Sequence, residues 1–211
     1  MISTKYTDCF NDVLPELPGV PPALAEYAIR NSVIEFCQRS TVWRVAADSQ
    51  DVEAGNNTYD LEPPVGADVV DIIVLSVNGA PCDPVSEDAL KAANPTWRTS
   101  GGTISAFMQQ DTTSVVLARV PSETYVNGLE MTLALAPRRN STSFPAWIWA
   151  KYFEGISAGA KAKLMRMPKK PWSDQQTALY YQSIFDAAAA GASADAARSL
   201  TRAAIRTTSH H

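Results

Sequence analysis

The hydrophobic period of this chain changes twice, and that change limits its fold more than any single motif does. Up to Ser40 apolar residues recur at helical spacing. From Thr41 to Pro137 short β-branched and aromatic runs alternate with turn residues, and from Phe144 the helical spacing returns. A helix with one apolar stripe must bury it against another element, and neither terminal segment can do so alone. The helices from the two ends are therefore expected to pack together. The expected class is α+β: a helical platform built from N- and C-terminal helices (1–40 plus 138–191), an inserted mostly antiparallel β module (41–137), and a flexible C-terminal tail (192–211).

Local signals give the elements. A short helix is expected over Thr4–Leu14, closed by Pro15, Pro18, Gly19, Pro21 and Pro22. Pro22 suits the first position of a second helix, with Leu24, Tyr27, Ala28, Val33, Ile34 and Cys37 as its apolar stripe. In the central block, Gly55-Asn56-Asn57 predicts a strand pair and Asn78-Gly79 a hairpin. Ser86 caps a turn or two of helix ending before Pro95, and three further short strands follow. In the return helix, Phe144, Trp147, Ile148, Tyr152 and Ile156 share a side, and Gly159 with Ala160 permits close packing. The last helix is expected to start at Ser173, with Gln176 completing a capping box. Leu179, Tyr180, Ile184 and Phe185 would form its buried face, and Gly191 and Ser193 would break it.

Composition closes most enzyme classes. The chain has 211 residues, 45% of them apolar, which is enough for a real core. Its only histidines are His210 and His211, so no Ser-His-Asp, Cys-His, HExxH or zinc-finger arrangement can form within a folded domain. Cys9, Cys37 and Cys82 lie far apart and read as small buried hydrophobes. No phosphate-cradling glycine loop is present, and no cofactor is implied. The N-terminus lacks the basic start and apolar core of a secretion signal, and no run is long enough to span a membrane, so folding in a cytosol is expected.

The charge is uneven. Residues 1–137 carry 7 Lys and Arg against 18 Asp and Glu; residues 138–211 carry 11 against 4. Such asymmetry suits head-to-tail or stacked assemblies. The chain finishes with Arg198, Arg202 and Arg206 at a spacing of four, with Leu200 and Ile205 as apolar neighbours and no acid after Asp195. Such a tail reads as one waiting for a partner.

Three stretches carry a family resemblance: "ALAEYAIRNSVIEFCQRSTVWR", "NPTWRTSGGTISAFMQQDTTSVVLARVPSE" and "FPAWIWAKYFEGISAGAKAKLMRMPKKPW". In this order they resemble the head-to-tail connector (adaptor) proteins of tailed bacteriophages, over roughly residues 4–190. The resemblance implies a structural virion protein and no enzyme, placed at the neck between capsid and tail after assembly in the host cytoplasm. It implies a homo-oligomeric ring, expected to be twelve-fold, beneath the portal protein. The ring would extend the channel for double-stranded DNA without sequence-specific binding, and present a surface to a tail-side protein. It also implies that the C-terminal segment docks on portal subunits; charge and pattern point to Arg198, Leu200, Arg202, Ile205 and Arg206 as the residues that would do so. Trp147, Trp149 and Tyr152 are candidates for packing between subunits, with core anchoring as their other reading. No membrane is involved.

Other readings stand beside this one. A stopper or tail-terminator subunit has a similar build. Lys161, Lys163, Arg166, Lys169 and Lys170 near two tryptophans suggest a nucleic-acid-binding module. A carboxylate-dependent glycosidase would need two close, buried acids, and nothing in the sequence picks out a pair.

Overall fold

The computed structural model describes residues 2–198. The chain opens with β1 (Ser3–Lys5) and two short 3-10 turns, Tyr6–Asp12 and Leu14–Glu16, then enters α1 (Pro22–Ser40). The middle of the chain holds β2 (Arg44–Ala46), β3 (Gln50–Val52), β4 (Thr58–Asp60), β5 (Ala67–Val77), β6 (Ala80–Pro84), α2 (Glu87–Ala93), β7 (Ala106–Gln109), β8 (Ser114–Leu117) and β9 (Tyr125–Pro137). Then come β10 (Ser143–Pro145), α3 (Ala146–Met165) and α4 (Gln175–Ala197). The class is α+β with a mostly antiparallel sheet. The chain divides into two compact units: one holds everything up to Trp43 and from Ala136 onward, the other Arg44–Leu135.

In the helical unit α1, α3 and α4 pack on one another. Phe36 of α1 meets Phe185 of α4 edge-on, with centroids 6.1 Å apart, and Tyr152 of α3 at 5.1 Å. Ile29, Val33, Ile148, Ile156, Ala160 and Leu164 are fully buried with them. Gly159 explains how α3 and α4 come so close: a Cβ there would collide with the Phe185 ring, and one at Gly155 with Ala188.

Several sequence expectations need correction here. The first segment is helical over Tyr6–Asp12, as a 3-10 helix, but it starts later than expected because Ser3–Lys5 is a strand: β1 pairs antiparallel with β10, Thr4 opposite Phe144, and the Tyr6 ring stacks on Phe144 at 5.1 Å. A pairing between segments so far apart in sequence leaves no local signal. The α1 stripe is rotated: Ala25, Ala28, Ile29, Ser32, Val33, Phe36 and Cys37 are buried, while Tyr27 is exposed. The cap of α4 is Asp174, whose carboxylate accepts from the Gln176 and Thr177 amides at 3.0 Å each; Ser173 Oγ bonds Met167 O. Leu179 and Tyr180 are exposed, and Phe185 carries the buried face with Ala178, Ala189, Ala192 and Ala196. The helix also passes Gly191 and Ser193 unbroken. Burial of Ala192 and Ala196, and ties from Asp195 to α3, outweigh the weak local propensity.

The β unit forms a sheet in the order β2-β9-β5-β6-β7-β8-β4, with β3 also on β9. Asn78 and Gly79, at φ 49° and 76°, make the two-residue turn that joins β5 to β6. β9 is nearly all apolar from Leu129 and lies between β2 and β3 on one side and β5 on the other. The parallel pair is β6 with β7, and the chain between them holds α2. Ser86 caps α2, its hydroxyl accepting from the Ala89 amide at 3.3 Å. Leu90 then packs with Trp97, Met108, Val116 and Ala118. The strand pair expected around Gly55 does not exist: β3 pairs with β9 and β4 with β8. The intervening loop is held instead by the Gly55 amide on Pro121 O and the Ala54 amide on Thr124 Oγ1.

Candidate functional site

The sequence-chosen aromatics sit on the first half of α3. Trp149 meets Phe144 edge-on at 6.3 Å and Phe153 at 6.4 Å, so it extends the Tyr6–Phe144 stack outward. Trp147 is half-buried. Tyr152 leaves helical dihedrals (φ −125°, ψ 18°) and kinks α3 there. Its ring lies on Phe36, and its hydroxyl donates to Asp195 at 3.2 Å, beside the Lys151 ammonium at 2.8 Å. Lys151 and then Tyr152 hold the Asp195 carboxyl below its ordinary value. Trp149 and Tyr152 are thus engaged within the chain while keeping part of their surface open.

Of the tail residues, Arg198 ends α4 and is exposed, its amide bonded to Asp195 O at 3.1 Å. Leu200, Arg202, Ile205 and Arg206 lie outside the described residues.

Between α3 and α4 runs a groove that sequence reading missed. One part, about 430 Å³, is bounded by Asp12, Pro15, Glu16 and Lys161; the next, about 470 Å³, by Lys151, Gly191, Ala192 and Asp195. They meet at Phe153, Glu154 and Ile184. Phe153 is 40% exposed, a large apolar ring open to solvent. The groove is lined here by the small residues Gly155, Ala158 and Ala188.

The basic cluster is divided: Lys161 and Lys163 are turned to carboxylates of the chain, while Arg166, Lys169 and Lys170 are exposed. Lys161 is 8% exposed and pairs with Glu16 at 2.6 Å, and Lys163 pairs with Glu35. Lys161 first and Tyr181 second hold the Glu16 carboxyl below its ordinary value, and the bond to Glu16 pushes the Tyr181 hydroxyl up to about 12. Two of the five cations are thus committed to carboxylates of the same chain. Burial pushes the Cys9 and Cys37 thiols up to about 12, which leaves them unreactive near neutral pH. Among the described residues no group of His, Cys, Asp or Glu is arranged to hold a metal, and no helix is long and apolar enough to cross a membrane.

Comparison with protein families decides the identity: the model described as SU10 adaptor protein matches residues 4–207. The chain belongs to the SU10 adaptor protein family. A comparison with curated proteins gives no match. The family is one of phage head-tail adaptors, structural proteins and not enzymes, so the protein is a phage adaptor. Membership implies a place at the virion neck and dealings with portal and tail proteins. The adaptor match continues past the end of α4 and takes in Leu200, Arg202, Ile205 and Arg206.

Proposed function

We propose that this adaptor forms a ring beneath the portal, expected to be twelve-fold, that extends the channel for double-stranded DNA and offers the surface on which the tail is built. The C-terminal segment docks on portal subunits, with Arg198, Arg202 and Arg206 meeting carboxylates and Leu200 and Ile205 filling apolar pockets. The observation that carries this reading is the family match, which runs through residue 207 and so spans the segment that holds these residues. The charge distribution supports it: an acidic N-terminal two-thirds repels DNA phosphates and leaves the duplex free to pass. Each desolvated Arg–carboxylate contact contributes about 1.5–3 kcal/mol, and repetition around a ring multiplies weak tails into firm attachment. Trp147, Trp149 and Tyr152, with part of their surface open, are the packing positions between neighbouring subunits.

The test is light scattering after gel filtration of the adaptor mixed with portal protein. A chain ending at Ala197 keeps the buried Ala196 and the Asp195 ties, so it retains the folded helix. The full chain is expected to join the portal stoichiometrically and the shortened one to elute alone. Failure of both to join would overturn the portal reading and favour a tail-side role.

A further inference from the structure

The groove beside Phe153 and the turn that joins α3 to α4 are matched surfaces that one chain cannot bring together. We propose that the turn of a second copy docks in the groove, with Lys169 and Lys170 against Asp12 and Glu154. The contact rests on the ring reading for that second copy, and deepens it by naming the two faces through which neighbouring subunits join.

The groove offers free acids next to open apolar surface. Phe153 is 40% exposed there, with Ile184 half-buried and Pro15 exposed beside it. Among the described residues no cation pairs with Asp12 or Glu154, whereas Glu16 and Asp195 in the same groove are matched by Lys161 and Lys151. The turn supplies the complement. Lys169 and Lys170 are exposed and pair with no carboxylate among the described residues, and the exposed Pro168 and Pro171 flank them. Its shape is fixed before any contact. Lys169 stands at φ 59°, the Ser173 amide donates to Lys170 O, and the Lys170 amide donates to Ser173 Oγ, both at 3.0 Å. The Asp174 amide closes the turn on Met165 O at 3.1 Å. A loop already ordered loses little freedom on docking.

Distance assigns the occupant to another copy. From Glu154 to Arg166, where the turn begins, α3 rises about 18 Å at 1.5 Å per residue. A lysine side chain cannot span that interval, so a chain's own turn cannot fill its own groove. Each copy therefore carries one donor face and one acceptor face. Such a head-to-tail arrangement generates a ring when the rotation closes. The aromatic row of α3 runs into the same place, since Trp149 meets Phe153 at 6.4 Å.

Carbodiimide joins a lysine to a carboxylate in direct contact, so it reads this contact on the unaltered full chain. Equal amounts of light and heavy isotope-labelled adaptor are treated, alone and mixed with portal protein, and the linked peptides are identified by mass spectrometry. Peptides joining Lys169 or Lys170 to Asp12 or Glu154 are expected with one light and one heavy half. Their yield should fall as salt screens the pairs. Two variants test the charge match: Asp12→Lys with Glu154→Lys, and Lys169→Glu with Lys170→Glu. Each alone sets like charges face to face and is expected to cut the yield of linked dimer roughly tenfold. Mixing the two variants restores opposite charges and should restore the yield, which a fold defect would not allow. Absence of these peptides both with and without portal, links confined to single chains, or no recovery on mixing would overturn the proposal. A portal-bound ring without the links removes this contact and leaves the ring reading standing. Links in an adaptor that fails to join portal keep the contact and remove the portal reading.

Discussion

Gly159 contributes to the adaptor by what it lacks, since the Phe185 ring occupies the space where its side chain would stand. Gly159→Ala forces either the ring or the α3–α4 spacing to give, at a cost of about 1–3 kcal/mol. Gly191 makes the opposite case. It sits in the interior of α4 with open space around its missing Cβ, so Gly191→Ala is expected to stabilise by about 0.4–1 kcal/mol. Urea denaturation of the two variants checks both signs, and equal effects would sink the distinction. The close approach at Gly159 was readable from a Gly-Ala pair on an amphipathic helix. The danger of reading glycine by type alone shows at Gly191, taken as a break and found mid-helix. The difference lies in the neighbours, Phe185 across one and solvent across the other.

Among the described residues four carboxylates tie elements of this unit to one another: Glu35 of α1 pairs with Lys163 of α3, and three others make similar ties. Glu16 joins the second 3-10 turn to Lys161 of α3, Asp186 of α4 holds Arg39 of α1 at 2.6 Å, and Asp195 of α4 holds Lys151 of α3. Their hydrogen-bonded cations keep all three below their ordinary values, Lys161 first for Glu16, Arg39 for Asp186 and Lys151 for Asp195. A carboxyl depressed in the folded state contributes stability above its unfolded pKa and loses it as pH falls through the folded value. The melting temperature is therefore expected to hold steady at neutral pH and to fall below about pH 4. Glu16→Gln should reduce that acid sensitivity, and a profile identical to the parent would refute the assignment. Caps and tight turns were legible at this scale: Ser86 and Asn78-Gly79 act through atoms a few residues away. Partner choice was not. Nothing within β3 and β4 says that one belongs on β9 and the other on β8, and nothing in β1 announces β10. The rotation of α1 was missed for a related reason. Phe36 and Ile29 are buried by what α3 and α4 present, and Tyr27 is apolar enough to fit the stripe while remaining 55% exposed.

At the scale of the whole molecule, the β unit enters through β2 and leaves through β9, and these strands are neighbours with Arg44 opposite Ala134. Its two ends are therefore only a strand spacing apart. Joining Trp43 to Ala136 with a short glycine-serine linker should leave α1, α3 and α4 packed as before. Circular dichroism is expected to show a helical protein with a cooperative urea transition; a product without one would mean that the platform needs its insert. The groove and its acidic rim went unforeseen because Asp12, Glu154 and Asp195 are distant in sequence and meet only once three segments have packed. That same discontinuity has a consequence in time. The ribosome releases α1 long before it makes the helices that cover it. At 5–20 residues per second, about 5–20 s separate the end of α1 from the start of α3. Throughout that interval the face carrying Ile29, Val33 and Phe36 has no α3 or α4 to cover it, and the sheet unit becomes complete only at its end, when β9 has been made. Synthesis therefore delivers this adaptor sheet first and platform last, and the chain's exposure to aggregation or chaperones falls in the seconds before α3 and α4 emerge.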